Sequence, residues 1–139
     1  MGEESLTARN LARVQEIYGR YAQGDRGALF EALAPGVSWN SVGDGLLPWA
    51  GSRKGPKGVR AYFAALDAEA EVTRYEVEQV IAQGEWIATL ATVQIRYRRS
   101  EQSYRYAKAD FIRLVDGQVV DFREFYDTAQ ACRDHACGG

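Results

Sequence analysis

The sequence predicts an α+β fold, an antiparallel sheet covered on one face by helices. Three observations carry this. Apolar residues recur at helical spacing through much of the first half, four strand-like runs fill the second half, and short glycine turns join those runs at QGE (83–85) and VDGQ (115–118). Helices first and a strand meander afterwards give a sheet with its helices gathered on one side.

Leu11, Val14, Tyr18 and Tyr21 recur at helical spacing, with Ile17 on the same stripe, so residues 6–22 are expected to form an amphipathic helix. Ser5 or Thr7 caps its start and Gly24 ends it. Asp25 caps a second, shorter helix carrying Leu29, Phe30 and Leu33, stopped by Pro35-Gly36. VSWNSV (37–42) reads as a short strand. The glycine-rich stretch 43–58 lacks the Gly-Lys-Ser/Thr ending of a phosphate loop. Its Leu46, Leu47 and Trp49 are too apolar for solvent and are expected to fold over something as a lid. A third helix, about 57–69, buries Val59, Tyr62, Phe63 and Leu66. Strands follow at about 71–82, 85–98, 103–115 and 118–127.

The register of the last hairpin decides which side chains share a face. A two-residue turn at Asp116-Gly117 pairs Val115 with Gln118 and sets Asp110 opposite Arg123. A three-residue loop pairs Leu114 with Gln118, sets Asp110 opposite Phe122 and Lys108 opposite Glu124, and gathers apolar residues on one face. Burial enforces register, so the three-residue loop is the expectation.

With 139 residues the chain suits a single domain with one real core, and a flexible tail is expected over 132–139. A net charge of −2 gives no field to draw in nucleic acid or an anionic membrane. Arg96, Arg98, Arg99 and Arg105 cluster at a hairpin end, where charge protects a sheet edge. No apolar run approaches the roughly 18 residues of a membrane span, and MGEESLTARN does not read as a signal peptide. Two cysteines, Cys132 and Cys137, are too close for more than a tiny disulfide loop, so a reduced cytoplasmic protein is expected. Cys132, His135 and Cys137 lie in a stretch of Ala and Gly that does not hold a metal rigidly, and neither metal nor cofactor is expected.

The stretch DFREFYDTA (121–129) carries the chemistry. Strand alternation puts Val120, Phe122, Glu124 and Tyr126 on one face, with Val119, Asp121, Arg123 and Phe125 on the other. Glu124 therefore sits in an apolar row, and Asp110 and Lys108 of the preceding strand face the same side. Asp110 and Glu124 are the candidate acid/base residues, because burial raises a carboxyl's pKa towards neutrality. The competing reading is structural: Lys108 neutralises Glu124, and Asp110 accepts a hydroxyl of Tyr18 or Tyr126. Tyr18, Trp39, Trp49, Tyr62, Phe122 and Tyr126 are the candidate ligand-binding residues, as aromatic walls or as core. Arg123 and Asp121 are expected to pair on the outer face, and Asp127 to cap a short terminal helix.

In their order and spacing, GD (24–25), LAPGVSW (33–39), a Gly/Pro loop, GVRAYFAAL (58–66), four strands and FREFYDTA (122–129) resemble the SnoaL-like and ketosteroid-isomerase-like proteins of the nuclear-transport-factor-2-like superfamily, from about Leu11 to Ala131. The resemblance implies a cone: a curved sheet and three helices enclosing one deep apolar pocket, often a homodimer through the sheet's outer face. In steroid isomerases the base falls on Ser41 here and the helical tyrosine on Ile17, beside Tyr18. Their second oxyanion donor, a protonated aspartic acid, falls on Asp110. In limonene epoxide hydrolases one aspartate of the relay corresponds to Glu124, but its partners fall near Ala91 and Val93. The polyketide-cyclase branch asks mainly for an acid/base in a shaped pocket. The resemblance thus implies a small hydrophobic ligand, with a cofactor-free isomerase, cyclase or lyase as one reading. A non-catalytic binding or dimerisation module is the other.

Overall fold

The computed structural model describes residues 2–136. Its elements run α1 (Glu3–Tyr21), α2 (Gly27–Ala32), β1 (Leu33–Ser41), β2 (Gly51–Lys54), α3 (Gly55–Glu69), β3 (Ala70–Gln83), β4 (Trp86–Tyr97), β5 (Ser103–Val115), β6 (Gln118–Tyr126) and α4 (Thr128–Ala136). The six strands form one curved, unclosed sheet in the order β2-β1-β6-β5-β4-β3. The expected α+β class holds, with one difference in the sheet. β1 lies parallel to β6, while every other neighbouring pair is antiparallel.

Helix α1 begins three residues earlier than its apolar stripe suggests, and neither Ser5 nor Thr7 caps it. Thr7 works elsewhere. Its hydroxyl accepts the Gly84 N–H at 2.8 Å, and the buried Asn10 amide donates to the Gly84 carbonyl at 2.9 Å. These two bonds dock the helix on the β3–β4 turn. Glu3 and Glu4 in the first turn suit the positive end of the helix dipole. Arg26, not Asp25, is the N-cap of α2; Asp25 stands one residue earlier, and its carboxylate receives the Gly27 N–H at 2.8 Å. That helix stops at Ala32, however, and Leu33 already belongs to β1. Pro35-Gly36 sits within the strand, where the β1–β6 register shifts between Leu33 and Ser38. A proline is tolerated at such an irregularity because it has no N–H to give the ladder.

The stretch expected as one loop, 43–58, contains β2 and the start of α3. Within it Leu47 and Trp49 are buried, but Leu46 points outward and is 65% exposed. Helix α3 buries Val59, Tyr62, Phe63 and Leu66 as its spacing requires and packs against β1. The tail expected from Cys132 onward continues as α4 to Ala136. Asp127 caps that helix, accepting the Gln130 N–H at 2.9 Å, and Ala131 is fully buried. Cys137, one of the three residues weighed as a metal ligand, lies outside the described residues.

The last hairpin corrects the expected register. Val115 pairs with Gln118 across a two-residue turn in which Asp116 and Gly117 have φ of 51° and 76°. Positive φ at both central positions is the type I′ geometry that matches strand twist. A bulge follows: Leu114 pairs with Val119 but Arg113 with Asp121, leaving Val120 unopposed. Asp110 is consequently opposite Glu124, and Lys108 opposite Tyr126. Both pairings differ from expectation by two residues. An even slip keeps every side chain on its face, so Asp110, Phe122 and Glu124 do face the helices, and Arg123 and Phe125 face away. The bulge reverses only the residues before it: Val119, not Val120, is buried.

Gly117 is the residue on which this turn rests. Gly117→Ala should lower unfolding free energy by about 1–2 kcal/mol, the cost of a left-handed non-glycine residue, in urea titration followed by circular dichroism. An unchanged midpoint would show that the turn relaxes to another type.

Candidate functional site

Two adjoining cavities lie between the concave face of the sheet and the helices. The first is lined by aliphatic residues of α1 and β6 together with Trp39, Tyr62, Phe122, Asp110 and Glu124. The second lies towards α4 and is lined by Trp49, Tyr97, Tyr106 and Tyr126 among others. Tyr21, Tyr62, Tyr75, Lys108 and Glu124 line both. Measured as space open to water centres, they hold about 40 Å³ and 50 Å³. A water needs roughly 10–15 Å³ on that measure, so each lobe has room for only a few.

At the partition sits a buried charge cluster. Glu124, 3% exposed, accepts three donors: the Ser41 and Tyr62 hydroxyls, each at 2.6 Å on Oε1, and the Lys108 ammonium at 2.7 Å on Oε2. Asp110, 1% exposed, receives the Tyr18 hydroxyl and, at 3.2 Å, the Tyr75 hydroxyl, both on Oδ2. Its other oxygen, Oδ1, accepts no hydrogen bond from the described residues. Lys108 Nζ is 3.4 Å from it, close enough for charge attraction but not aligned as a donor. The same ammonium lies 5.2 Å from the centre of the Tyr75 ring.

Burial and neighbours drive the two carboxyls apart. Burial raises the pKa of Asp110 above the ordinary aspartate range; Lys108 and the two tyrosines oppose the rise without cancelling it. Burial pushes Glu124 the same way, but the Lys108 charge and the hydrogen bonds from Lys108, Ser41 and Tyr62 outweigh it, so its pKa is lowered. Lys108 loses solvation, yet the two carboxylates hold its pKa well above normal. Tyr18 and Tyr62 are raised by burial and then by the carboxylates they face, so they remain donors. The environment thus favours the protonated form of Asp110 more, and that of Glu124 less, than water does, with the Lys108 ammonium beside both.

All eight residues singled out from sequence line these cavities. Asp110, Glu124, Tyr18, Trp39, Tyr62 and Phe122 line the first, and Trp49 and Tyr126 the second. Trp39 stacks on Phe122 at a centroid distance of 3.8 Å, and its indole N–H has no acceptor. Trp49 instead donates to the Tyr126 hydroxyl at 2.8 Å. Both readings of the carboxylates find support, for Lys108 does bind Glu124 and Tyr18 does bind Asp110. Ser41, at the position of the steroid-isomerase base, is here a donor to Glu124. Ala91 and Val93, where an epoxide-hydrolase relay needs partners, are buried apolar residues. Sequence reasoning missed Tyr21 and Tyr75. Tyr75 was concealed because β3 shifts register on either side of it, between Val72 and Arg74 and between Val77 and Gln79, which breaks the alternation that marks an inward residue.

The opposite shifts imply opposite pH dependences. Glu124, with a lowered folded pKa, contributes stability above the ordinary glutamate range of about 4.3 and loses it as pH falls through its folded value. Asp110, with a raised one, contributes stability that is full below about 3.9 and lost as pH rises through its folded value. Glu124→Gln should therefore be most destabilised relative to the parent near neutrality, with the gap closing in acid. Asp110→Asn should gain on the parent as pH climbs above the ordinary aspartate range. Urea midpoints of the three proteins across pH check both slopes, and parallel curves would reject the assignment.

Comparison with known proteins agrees with the geometry. The SnoaL-like domain family matches residues 14–122. An NTF2-like protein from Burkholderia pseudomallei superposes with a TM-score of 0.81 at 27% identity, over 90% of this chain and 95% of that one. TerC, co-crystallised with polyporic acid, superposes at 0.82 with 15% identity, over 92% and 98% of the two chains. A protein with a ketosteroid-isomerase-like fold from Catenulispora acidiphila, in complex with trimethylamine, gives 0.69 at 12% identity, over 82% and 84%. Curated proteins provide no match. At such identities the structural likenesses speak for the fold, whereas the family match spans most of the chain with Asp110 inside it: this protein belongs to the SnoaL-like family, on the NTF2-like fold.

Proposed function

We propose that the cavity binds a small hydrophobic carbonyl compound and that Asp110 transfers protons on it without a cofactor, in the manner of an isomerase or cyclase. One observation carries this reading. Asp110 lines the first cavity, and its Oδ1 is buried and receives no hydrogen bond from the described residues, while Oδ2 already accepts two phenols. In the protonated acid, the O–H at Oδ1 is a donor without an acceptor, and a ligand carbonyl supplies one. Asp110 hands its proton to the carbonyl oxygen. The resulting carboxylate takes one from the adjacent C–H, whose electrons form the C=C of the enol. Proton count is unchanged, and Lys108 offsets the negative charge on Asp110 between the two steps. Glu124, loaded with three donors, is a poor base and serves to hold Lys108. Trp49 closes the second lobe as a lid. Among the described residues no helix is long and apolar enough to cross a membrane.

A second reading, a non-catalytic binder, is favoured by the small lobes and by how fully the protein's own donors occupy Glu124. Deuterium exchange separates the two. With a small ketone in D2O, NMR should show enzyme-dependent loss of the α-proton signal. Asp110→Asn should slow that exchange by about 10²-fold or more, with a smaller loss in Glu124→Gln. Ligand binding with no exchange by the parent would leave the binder standing.

We also propose a homodimer through the outer face of the sheet. Trp86, Leu90, Phe111 and Phe125 are exposed there, the last two in edge-to-face contact at 6.0 Å. Sedimentation should give a dimer for the parent and a monomer for Phe111→Lys; a monomeric parent at micromolar concentration would end the proposal.

A further inference from the structure

The two lobes bear on where, along its skeleton, a ligand carries its carbonyl. The oxygen that the carbonyl reading assigns to that group, Asp110 Oδ1, is buried without a hydrogen bond from the described residues, belongs to a residue lining the first lobe, and lies 3.4 Å from Lys108 Nζ. Lys108 and its partner Glu124 face both lobes. A carbonyl oxygen bonded to Asp110 is therefore held beside the partition, not at the far end of a pocket. From that point apolar space extends in two directions. One way it runs past Val14, Ile17 and Val119 beneath α1; the other way past Val93, Ile95 and Ala131 beneath α4. A terminal carbonyl fills one direction and leaves the other to water against largely apolar aliphatic and aromatic walls, which costs binding free energy.

Resting on the carbonyl reading above, we propose that the ligand's carbonyl is internal, flanked by one apolar arm for each lobe. The class is ketones and dicarbonyl compounds substituted on both sides, in preference to methyl ketones and aldehydes of equal carbon count. Access runs through Tyr21 and Tyr75. They line both lobes and also an outer groove of about 260 Å³ edged by Arg26 and Asp67, and so form the wall between solvent and the partition. This wall is where the two arms part, which lets a ligand enter middle first.

Dibutyl ketone and heptyl methyl ketone test the idea, being isomers with the same carbon count. Quenching of tryptophan fluorescence in the full chain reports binding of each. Dibutyl ketone should bind about tenfold more tightly, the scale of a few well-placed methylenes. Ala131→Leu, which fills the second lobe away from Asp110, should lower affinity for dibutyl ketone about tenfold and for heptyl methyl ketone much less. Val93→Phe serves the same purpose from the sheet side should the helix variant fail to fold. Equal affinities for the isomers, tighter binding of the methyl ketone, equal losses in a folded variant, or no binding of either ketone would each overturn the two-arm claim. Deuterium exchange of the bound ketone is a separate readout. Preferential binding without exchange defeats the catalytic reading and keeps the two-arm one, and exchange that is equal for equally bound isomers does the reverse.

Discussion

One ammonium holds the interior of this protein together. Asp110 and Glu124 stand directly opposite each other on neighbouring antiparallel strands, both buried. Like charges in that position repel, and each carboxylate taken from water costs several kcal/mol unless it is compensated. Lys108 answers both demands. Two residues before Asp110 on β5, it shares the inward face and reaches both carboxyls. With the lysine in place, ionised Glu124 is favoured while the pKa of Asp110 is raised, so the ammonium offsets the negative charge gathered there.

The cluster also explains the density of hydroxyls in an otherwise oily interior. Tyr18 comes from α1, Ser41 from β1, Tyr62 from α3 and Tyr75 from β3, and each ends on one of the two carboxylates. Four separate elements are thereby tied to β5 and β6 at one point. Hydrogen bonds to charged groups are stronger than those between neutral ones, and buried networks of this kind favour a single arrangement of the parts they join. The position of α1 is fixed a second time by Thr7 and Asn10 on Gly84, so the first cavity has a rigid roof.

Much of this was legible in the sequence. The apolar stripe of α3 named its buried residues, that of α1 named Val14 and Ile17 but not Asn10, and the alternation in FREFY placed Glu124 inside. What failed was local. Apolar content preferred a three-residue loop for the last hairpin, whereas a type I′ turn at Asp116-Gly117 combined with a bulge at Val120 satisfies turn and burial together. A bulge leaves no mark in composition, so neither it nor the exchange of Val119 for Val120 was readable. The parallel pairing of β1 with β6 joins residues 83 or more positions apart, as in Ser38 with Asp121, and no local pattern encodes it. Tyr75 escaped for the same reason as Val119: register shifts disrupt the period on which the reading depends.

The three tryptophans occupy three unlike surroundings. Trp39 is buried with its face on Phe122 and its N–H unbonded, Trp49 is buried with its N–H on a phenol, and Trp86 lies half open on the outer face of the sheet. Indole emission shifts with polarity and hydrogen bonding, so each reports on a different part of the molecule. Trp39 senses the first lobe, Trp49 the cover of the second, and Trp86 whatever meets the sheet from outside. The chain thus carries its own set of optical labels, and single-tryptophan variants would let cavity filling, lid movement and self-association be followed separately by light alone.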